Sequence, residues 1–144
     1  TLEDVPNIPG VSSAIFKPLS QNNINVDMII QNISLDGKAA NLTFTLDESE
    51  LAKAQSLLNQ SKQDGDINFT NLTATSDVSK VSVVGVGMKT HSGIAYKAFQ
   101  VLADNNVNIL AITTSEIKIS FLIDAGSTKI VTQALHDAFN LDAK

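Results

Sequence analysis

Hydrophobic positions in the second half of the chain change their spacing in a fixed order. Residues 81–86 form a β-branched run that predicts a buried strand. Apolar side chains at 94–102 recur at the spacing of an amphipathic helix, and those at 130–138 predict a second helix. Between the helices, residues 107–114 and 117–123 predict two strands, the second with apolar and polar positions in alternation. The predicted order is β-α-β-β-α.

The same order occurs earlier because the sequence contains an internal repeat. Residues 22–26 (NNINV) match residues 105–109 (NNVNI) at an offset of 83. Beyond them, residues 42–44 (LTF) match residues 119–121 (ISF) at an offset of 77. The intervening loop of the first copy is therefore 6 residues longer, and its Asp-Gly pair at 36–37 is a common hairpin turn.

The first copy predicts one strand more than the second. Its strands are predicted at 1–5, 24–32, 39–46 and 67–72, and its helices at 9–21 and 48–61. This βαββαβ order is the ferredoxin-like arrangement, so the predicted fold is α+β: two modules, residues 1–75 and 76–144, each an antiparallel sheet with helices on one face. The second copy has no last strand, and Thr1-Leu2 resembles the middle of one. We expect a fragment of a longer polypeptide, its missing edges completed by absent residues, the other module or a partner chain.

Composition excludes several partners. The chain of 144 residues has a net charge of −5, and all 10 basic residues are Lys. It therefore lacks the basic surface that nucleic-acid binding requires, and no nucleic-acid partner is expected. No leader opens the sequence and no apolar run approaches the roughly 20 residues that span a bilayer, so we expect no membrane partner and a cytoplasmic location.

Catalytic chemistry finds little support in the residues. Cysteine is absent, and the two histidines, His91 and His136, lie in no cluster that would hold a metal. Gly85-Val86-Gly87 resembles the start of a dinucleotide motif, but Thr90 stands at its third glycine. Acylphosphatase-type chemistry needs an arginine, which the chain lacks. A ferredoxin-like enzyme with unrecognised chemistry remains a disfavoured alternative, and we expect no catalytic residue, metal or cofactor in this chain.

Two equivalent strand-to-helix loops, residues 6–12 and 88–94, are the best binding candidates. A glycine there lets the backbone approach a ligand, and free N–H groups at the start of the helix favour a carboxylate. Such a glycine can equally serve only a tight turn. Because the arrangement occurs twice, each time with an Asn on the strand after the helix (Asn25, Asn108), we favour binding of an amino acid.

Longer strings resemble a known family. Residues 81–95 (VSVVGVGMKTHSGIA), 107–109 (VNI) and 113–120 (TTSEIKIS) resemble the second ACT module of aspartokinases, and Pro9-Gly10 with residues 24–32 (INVDMIIQN) resembles the first. The resemblance covers nearly the whole chain. It implies the tandem ACT domains of an aspartokinase regulatory region or beta subunit.

The resemblance also implies a regulatory function. In this family a kinase domain, absent here, uses ATP and Mg to phosphorylate the side-chain carboxylate of aspartate, which opens lysine, threonine and methionine synthesis. The ACT modules pair between chains, so a homodimer is expected. Lysine, threonine or both bind at module interfaces and inhibit the kinase domain or subunit. The alternative is a stand-alone ACT sensor, or the regulatory subunit of another amino-acid enzyme such as acetohydroxyacid synthase.

Effector-binding residues can be carried over from the family by position. In the first module they are Asn7, Gly10, Val11, Ser12, Asp27, Gln31, Asn32 and Ser34, and in the second, where they would complete a threonine site, Asn108, Ile109 and Ser115. Residues 10–12 would offer backbone groups to the effector, while Gln31 and Asn32 would approach from the adjacent strand. Asp27 is the natural partner of a lysine ammonium, although it could equally be a solvated surface acid.

Ser34 lies where family substitutions commonly relieve feedback inhibition.

Three positions depart from the family. The family often has Asp where Asn7 stands, Pro where Ser92 stands and Thr where Ala95 stands. Because Asn7 carries no negative charge for an effector ammonium, the sequence alone suggests that Asn7→Asp tightens binding.

Overall fold

Two α+β units make up the chain, which divides after residue 74 into Thr1–Ala74 and Thr75–Lys144. The computed structural model describes residues 1–84, 91–115 and 117–139. In the first unit the elements are β1 (Leu2–Pro6), α1 (Val11–Gln21), β2 (Val26–Ile33), β3 (Ala39–Leu46), α2 (Leu51–Gln63) and β4 (Asn71–Leu72). Its sheet is antiparallel, in the order β2-β3-β1-β4. The predicted βαββαβ order of this copy is confirmed.

The second unit repeats the arrangement with one strand fewer among its described residues. Its elements are β5 (Val78–Val84), α3 (His91–Asp104), β6 (Ala111–Thr114), β7 (Lys118–Asp124) and α4 (Thr128–Ala138). The sheet is again antiparallel, in the order β5-β7-β6, which corresponds to β1-β3-β2 of the first unit. The structure and the sequence pattern therefore agree on an α+β fold with two similar modules.

Each unit buries its own hydrophobic core between two helices and one face of its sheet. In the first unit, Ile15 and Leu58 from the helices pack with Leu2 and Leu42 from the central strands. In the second unit the corresponding core contains Leu102, Val131, Ile119 and Phe121. Along β7 every second residue (Ile119, Phe121, Ile123) enters the core, as the pleat of a sheet requires, whereas an irregularity in β1 places its core residues Leu2 and Val5 three apart.

Matching contacts show that the repeat is structural as well as sequential. The edge-to-face ring pair of Phe16 and Phe44, with centroids 5.2 Å apart, corresponds to that of Phe99 and Phe121 at 5.9 Å. The first members of the two pairs differ by 83 in number and the second members by 77. Both offsets found in the sequence thus hold in three dimensions.

Two predicted strands are shorter than expected. The strand predicted at 107–114 begins only at Ala111; before it, the Val107 N–H donates to the carbonyl of Leu102 at the end of α3, and the Leu110 N–H donates to that of Leu122 in β7. The strand predicted at 67–72 contains only Asn71–Leu72, and Ile67 and Phe69 pack in the core before it. Residues 85 and 86 of the strand predicted at 81–86 lie outside the described residues.

The helices of the described chain are short. Within residues 1–84, 91–115 and 117–139, none combines the length and the apolar character needed to cross a membrane.

Candidate functional site

The loop between β1 and α1 ends in a glycine with a left-handed backbone. Gly10 has φ +91° and ψ −13°, a conformation that side-chain-bearing residues rarely adopt, and a Cβ there would meet nothing within 4 Å. Glycine is therefore required for the backbone angle and not for lack of space. The loop places the first turn of α1 at the end of the sheet where β1 finishes.

The first turn of α1 leaves backbone donors open. Val11 N–H donates to the carbonyl of Ile8 at 3.4 Å, and Ala14 N–H donates to that of Gly10 at 3.1 Å. Between them, Ser12 and Ser13 are exposed, and no side chain among the described residues caps the helix. Open N–H groups at the positive end of a helix suit a carboxylate.

A tight turn, residues 34–38, connects β2 to β3 at the same end of the sheet. Asp36 organises this turn: its Oδ1 accepts hydrogen bonds from the Ser34 hydroxyl at 2.7 Å and from the Lys38 N–H at 3.0 Å. The Ser34 hydroxyl oxygen in turn accepts from the Ala39 N–H at 3.2 Å. The hydrogen bond from Ser34, helped by that from Lys38, lowers the pKa of the Asp36 carboxyl below its ordinary value.

Asn7 connects the loop to the turn. Its backbone N–H donates to the Lys38 carbonyl at 3.0 Å, and its Nδ2 donates to the Gly37 carbonyl at 2.9 Å. The side-chain Oδ1 is then the atom with which Asn7 can accept a hydrogen bond from a ligand. Asn7 thus has a structural role that the sequence did not indicate.

Gln31 and Asn32 project from opposite faces of the sheet, as neighbours on a strand must. Gln31 pairs with Leu42, a core residue, and so shares the helix-covered face with the first turn of α1. Asn32 pairs with Asn41 and faces the other side. Both are exposed, but only Gln31 lies on the side of the α1 N-terminus.

Asp27 lies at the other end of the first sheet. It is the second residue of β2. The end of the sheet next to the β1–α1 loop lies at Ile33, because Ile33 and Val5, near the end of β1, both pair with Ala40 of β3. Asp27 lies six positions before Ile33 on the strand, a distance of about 20 Å at the usual rise per residue. Within this unit, Asp27 is not brought near the β1–α1 loop.

The candidate residues of the second unit are separated in the same way. Asn108 and Ile109 precede β6, whereas Ser115 follows it. Ile109 packs half-buried against the core, while Asn108 and Ser115 are exposed. Ser115 shapes the β6–β7 turn by donating its N–H to the Lys118 carbonyl at 2.7 Å. Of the second predicted binding loop, residues 88–94, the first three lie outside the described residues, and the remaining four form the start of α3.

Sequence reasoning missed the turn residues that hold this site together. Asp36, Gly37 and Lys38 were identified only as part of a hairpin turn, not as partners of Asn7 and Ser34. The Asp-Gly pair was the available signal, since Asp commonly closes a turn through its own side chain. In the same described ranges, no group of three or more His, Cys, Asp or Glu residues could hold a metal ion.

Comparison with known proteins identifies the class. Sequence profiles of the ACT domain match residues 1–63 and residues 81–139. Both matches fall on a sheet with helices against one face, in the element order described above. The chain therefore consists of two ACT domains in tandem.

Individual relatives make the assignment more specific. An aspartate kinase of Pseudomonas putida is 41% identical over 143 residues, 99% of this chain and 34% of that protein. The crystal structure of the regulatory subunit of aspartate kinase from Thermus thermophilus, in a ligand-free form, is 32% identical with a TM-score of 0.82, covering 96% of this chain and 89% of that one. A crystal structure of aspartokinase alpha and beta subunits is 37% identical with a TM-score of 0.83 and the same coverage.

The chain belongs to the family of aspartokinase regulatory regions, as the sequence strings indicated. It spans about a third of the length of the curated aspartate kinases it matches.

Proposed function

We propose that this chain is the amino-acid-sensing part of an aspartokinase and that it binds threonine, lysine or both to inhibit the kinase. Its relatedness to aspartokinase regulatory subunits supports the regulatory role. The phosphotransfer chemistry, with its ATP and Mg, belongs to a kinase domain or subunit outside this chain. The chain itself contributes binding energy and no catalytic group.

The observation that carries the proposal is the open first turn of α1. Among the described residues, no backbone carbonyl or capping side chain accepts the N–H groups of Ser12 and Ser13, so these groups are available to an α-carboxylate. The Oδ1 atom of Asn7 is available to the α-ammonium. Gln31 lies on the same side of the sheet and supplies a further polar contact.

Threonine fits this end of the unit better than lysine. The side chains proposed to line it, those of Asn7, Ser12, Gln31 and Ser34, are neutral. A lysine ammonium needs an acceptor of opposite charge. The Asp36 carboxylate at this end is already engaged by the Ser34 hydroxyl and the Lys38 N–H, and Asp27 lies about 20 Å away at the other end of the strand. We therefore propose threonine as the ligand of this site and lysine as a weaker one. Contributions from Asp27, Asn32, Asn108, Ile109 and Ser115, implied by the family resemblance, remain proposals.

Inhibition requires a difference in affinity between two states of the enzyme. An amino acid that bound the active and inhibited kinase equally would change nothing, whatever its affinity. A tenfold shift of the equilibrium between the active and inhibited states corresponds to about 1.4 kcal/mol of preferential binding to the inhibited state. We further propose that the ACT domains pair into a homodimer in the cytoplasm and that this pairing carries the difference to the kinase.

Calorimetric titration of the purified chain with threonine, lysine, methionine and isoleucine tests the proposal, with the molecular mass in solution followed in parallel. We expect threonine to bind with a dissociation constant between roughly 1 μM and 1 mM, more tightly than lysine, and the chain to be dimeric. A folded chain that binds none of the four refutes the proposal and favours the regulatory unit of another amino-acid enzyme. Binding of lysine alone would refute the choice of threonine.

A further inference from the structure

Asn7 joins the two segments on which the proposed amino-acid site depends. Its backbone and its side-chain amide donate to neighbouring carbonyls of the β2–β3 turn: the backbone N–H to Lys38 at 3.0 Å and Nδ2 to Gly37 at 2.9 Å. Three residues later, the chain reaches Gly10 and the open first turn of α1. The position of the turn therefore sets the position of the loop.

Asp36 holds the β2–β3 turn in place. Its Oδ1 receives the Ser34 hydroxyl at 2.7 Å and the Lys38 N–H at 3.0 Å, while the Gly37 N–H donates to the Ser34 carbonyl at 2.9 Å. Gly37 has φ +75°, which directs its carbonyl in a way that most residues cannot. One carboxylate thus organises both carbonyls that receive Asn7.

We infer that Asn7 and Asp36 are positioning residues for amino-acid binding: Asp36 closes the β2–β3 turn, and Asn7 transmits the position of that turn to the β1–α1 loop. The inference rests on the proposed function, because it assumes that this loop binds the amino acid. It also gives Ser34 a different role from that of a ligand contact. The Ser34 hydroxyl donates to Asp36 and accepts from the Ala39 N–H, so it acts by building the turn.

The first test is Asn7→Asp, with Asn59→Asp as the matched control. The variant keeps the shape of the side chain but replaces the Nδ2 donor by a carboxylate oxygen, which would face the Gly37 carbonyl at close range. The control adds the same charge at an exposed position of α2. We expect the first variant to loosen the loop and weaken threonine binding, and the control to do neither.

The second test changes the β2–β3 turn and asks whether the β1–α1 loop responds. Asp36→Ala removes the acceptor that closes the turn, and Asp66→Ala removes the same charge from another exposed position. Asp36 lies 26 residues from Gly10 in sequence and its side chain bonds to Ser34 and Lys38, not to residues 8–14. An effect of Asp36→Ala on the β1–α1 loop would therefore have to pass through Asn7. If Asp36 acted only within its own turn, Asp36→Ala would leave the β1–α1 loop unchanged.

Two readouts on the full chain decide between these outcomes. Hydrogen–deuterium exchange of the Val11 and Ala14 amides, which are hydrogen-bonded to Ile8 and Gly10 of the loop, should become roughly tenfold faster in Asn7→Asp and in Asp36→Ala, with the core amides of Ile15 and Leu42 still protected. Calorimetry should show threonine affinity reduced by about fivefold or more in both.

Unchanged exchange at Val11 and Ala14 in either variant overturns the inference, whatever happens to binding. Faster exchange with unchanged threonine affinity overturns it as well, because the turn would then not set the site. If the parent chain binds no amino acid, the proposed function fails and with it the assignment of these residues to binding. The exchange measurement still decides whether the turn and the loop are coupled.

Discussion

Asn105 donates a hydrogen bond from its Nδ2 to the carbonyl oxygen of Val101, 2.8 Å away, at the end of α3. Asn22 makes the same bond to the Pro18 carbonyl at 2.7 Å at the end of α1. Both side chains donate to carbonyls in the last turn of a helix, where backbone partners are scarce; the Val101 carbonyl also accepts the Asn105 backbone N–H at 3.2 Å. The repeat has therefore kept a specific way of ending its first helix.

Replacing Asn105 by Ala should lower the free energy of unfolding by about 1 kcal/mol, because one hydrogen bond to a helix-end carbonyl is lost. Urea denaturation followed by circular dichroism measures this change. Asn59→Ala, on the exposed face of α2, is the control and should be neutral or slightly stabilising, since Ala favours a helix. Equal losses in the two variants would show that the Asn105 bond contributes nothing particular.

Gly10→Ala should weaken threonine binding by roughly five- to thirtyfold. A residue with a Cβ pays about 1–2 kcal/mol to hold the left-handed backbone that Gly10 adopts at φ +91°. Gly65→Ala is the matched control: Gly65 has φ +81°, also with open space around it, but ends α2 far along the chain from the loop. Calorimetry and thermal unfolding of both variants separate the two effects.

The expected pattern is a similar loss of stability in the two glycine variants and a loss of affinity only in Gly10→Ala. If both variants bind threonine equally well, the α1 N-terminus is not the site of the carboxylate.

Leu102→Ala should destabilise the second unit by about 2–5 kcal/mol, the usual cost of a cavity in a well-packed core. Leu102 is 1% exposed and packs among the core side chains of that unit. Leu110, 52% exposed, provides the control, because its replacement by Ala leaves no cavity and should change the free energy of unfolding by less than about 0.5 kcal/mol. Denaturant titration of both variants tests the difference.

The Asp36 carboxylate should titrate below an ordinary aspartate, and Ser34→Ala should move its pKa upward. The hydrogen bond from the Ser34 hydroxyl is the main cause of the lowered pKa. Because the folded pKa lies below the unfolded one, the carboxylate favours the closed turn above the unfolded pKa, and this contribution is lost as the pH falls through the folded pKa. Carbon-detected NMR titration of the side chain in both proteins measures the change.

The order of elements was predictable because it depends on periodicity, which local sequence determines. The switch from period two at residues 117–123 to helical spacing at 130–138 survives in β7 and α4. Strand ends were harder to predict: Val107 has strong strand preference, yet its N–H is taken by the end of the preceding helix. A competition for one donor is not visible in the pattern of side chains.

The candidate site was only partly predictable. The glycine loop was recognised from its place between a strand and a helix, and Gly10 has the left-handed conformation that such a loop can require. The family resemblance grouped Asp27 with the loop residues, but a strand is straight, so residues near its two ends cannot meet within one unit. The link from Asn7 to Gly37 spans 30 residues of sequence and depends on where the hairpin folds, which no local pattern reports.

The link also changes the expected effect of Asn7→Asp. Charge alone suggested tighter effector binding, because a carboxylate attracts an ammonium. Against this stands the loss of the Nδ2 donor and the approach of a carboxylate to the Gly37 carbonyl. The predicted result is weaker binding.

The six-residue difference between the two hairpins bears on how such repeats diverge. After a duplication, both copies inherit the same demands on their interior, and the ring pairs Phe16–Phe44 and Phe99–Phe121 show that these were met on either side of the hairpin. Insertions at the hairpin tip escape those demands, since they leave the register of the buried residues unchanged. Selection can therefore change the surface of one copy by adding or removing residues at this tip, while both copies keep the same hydrophobic core.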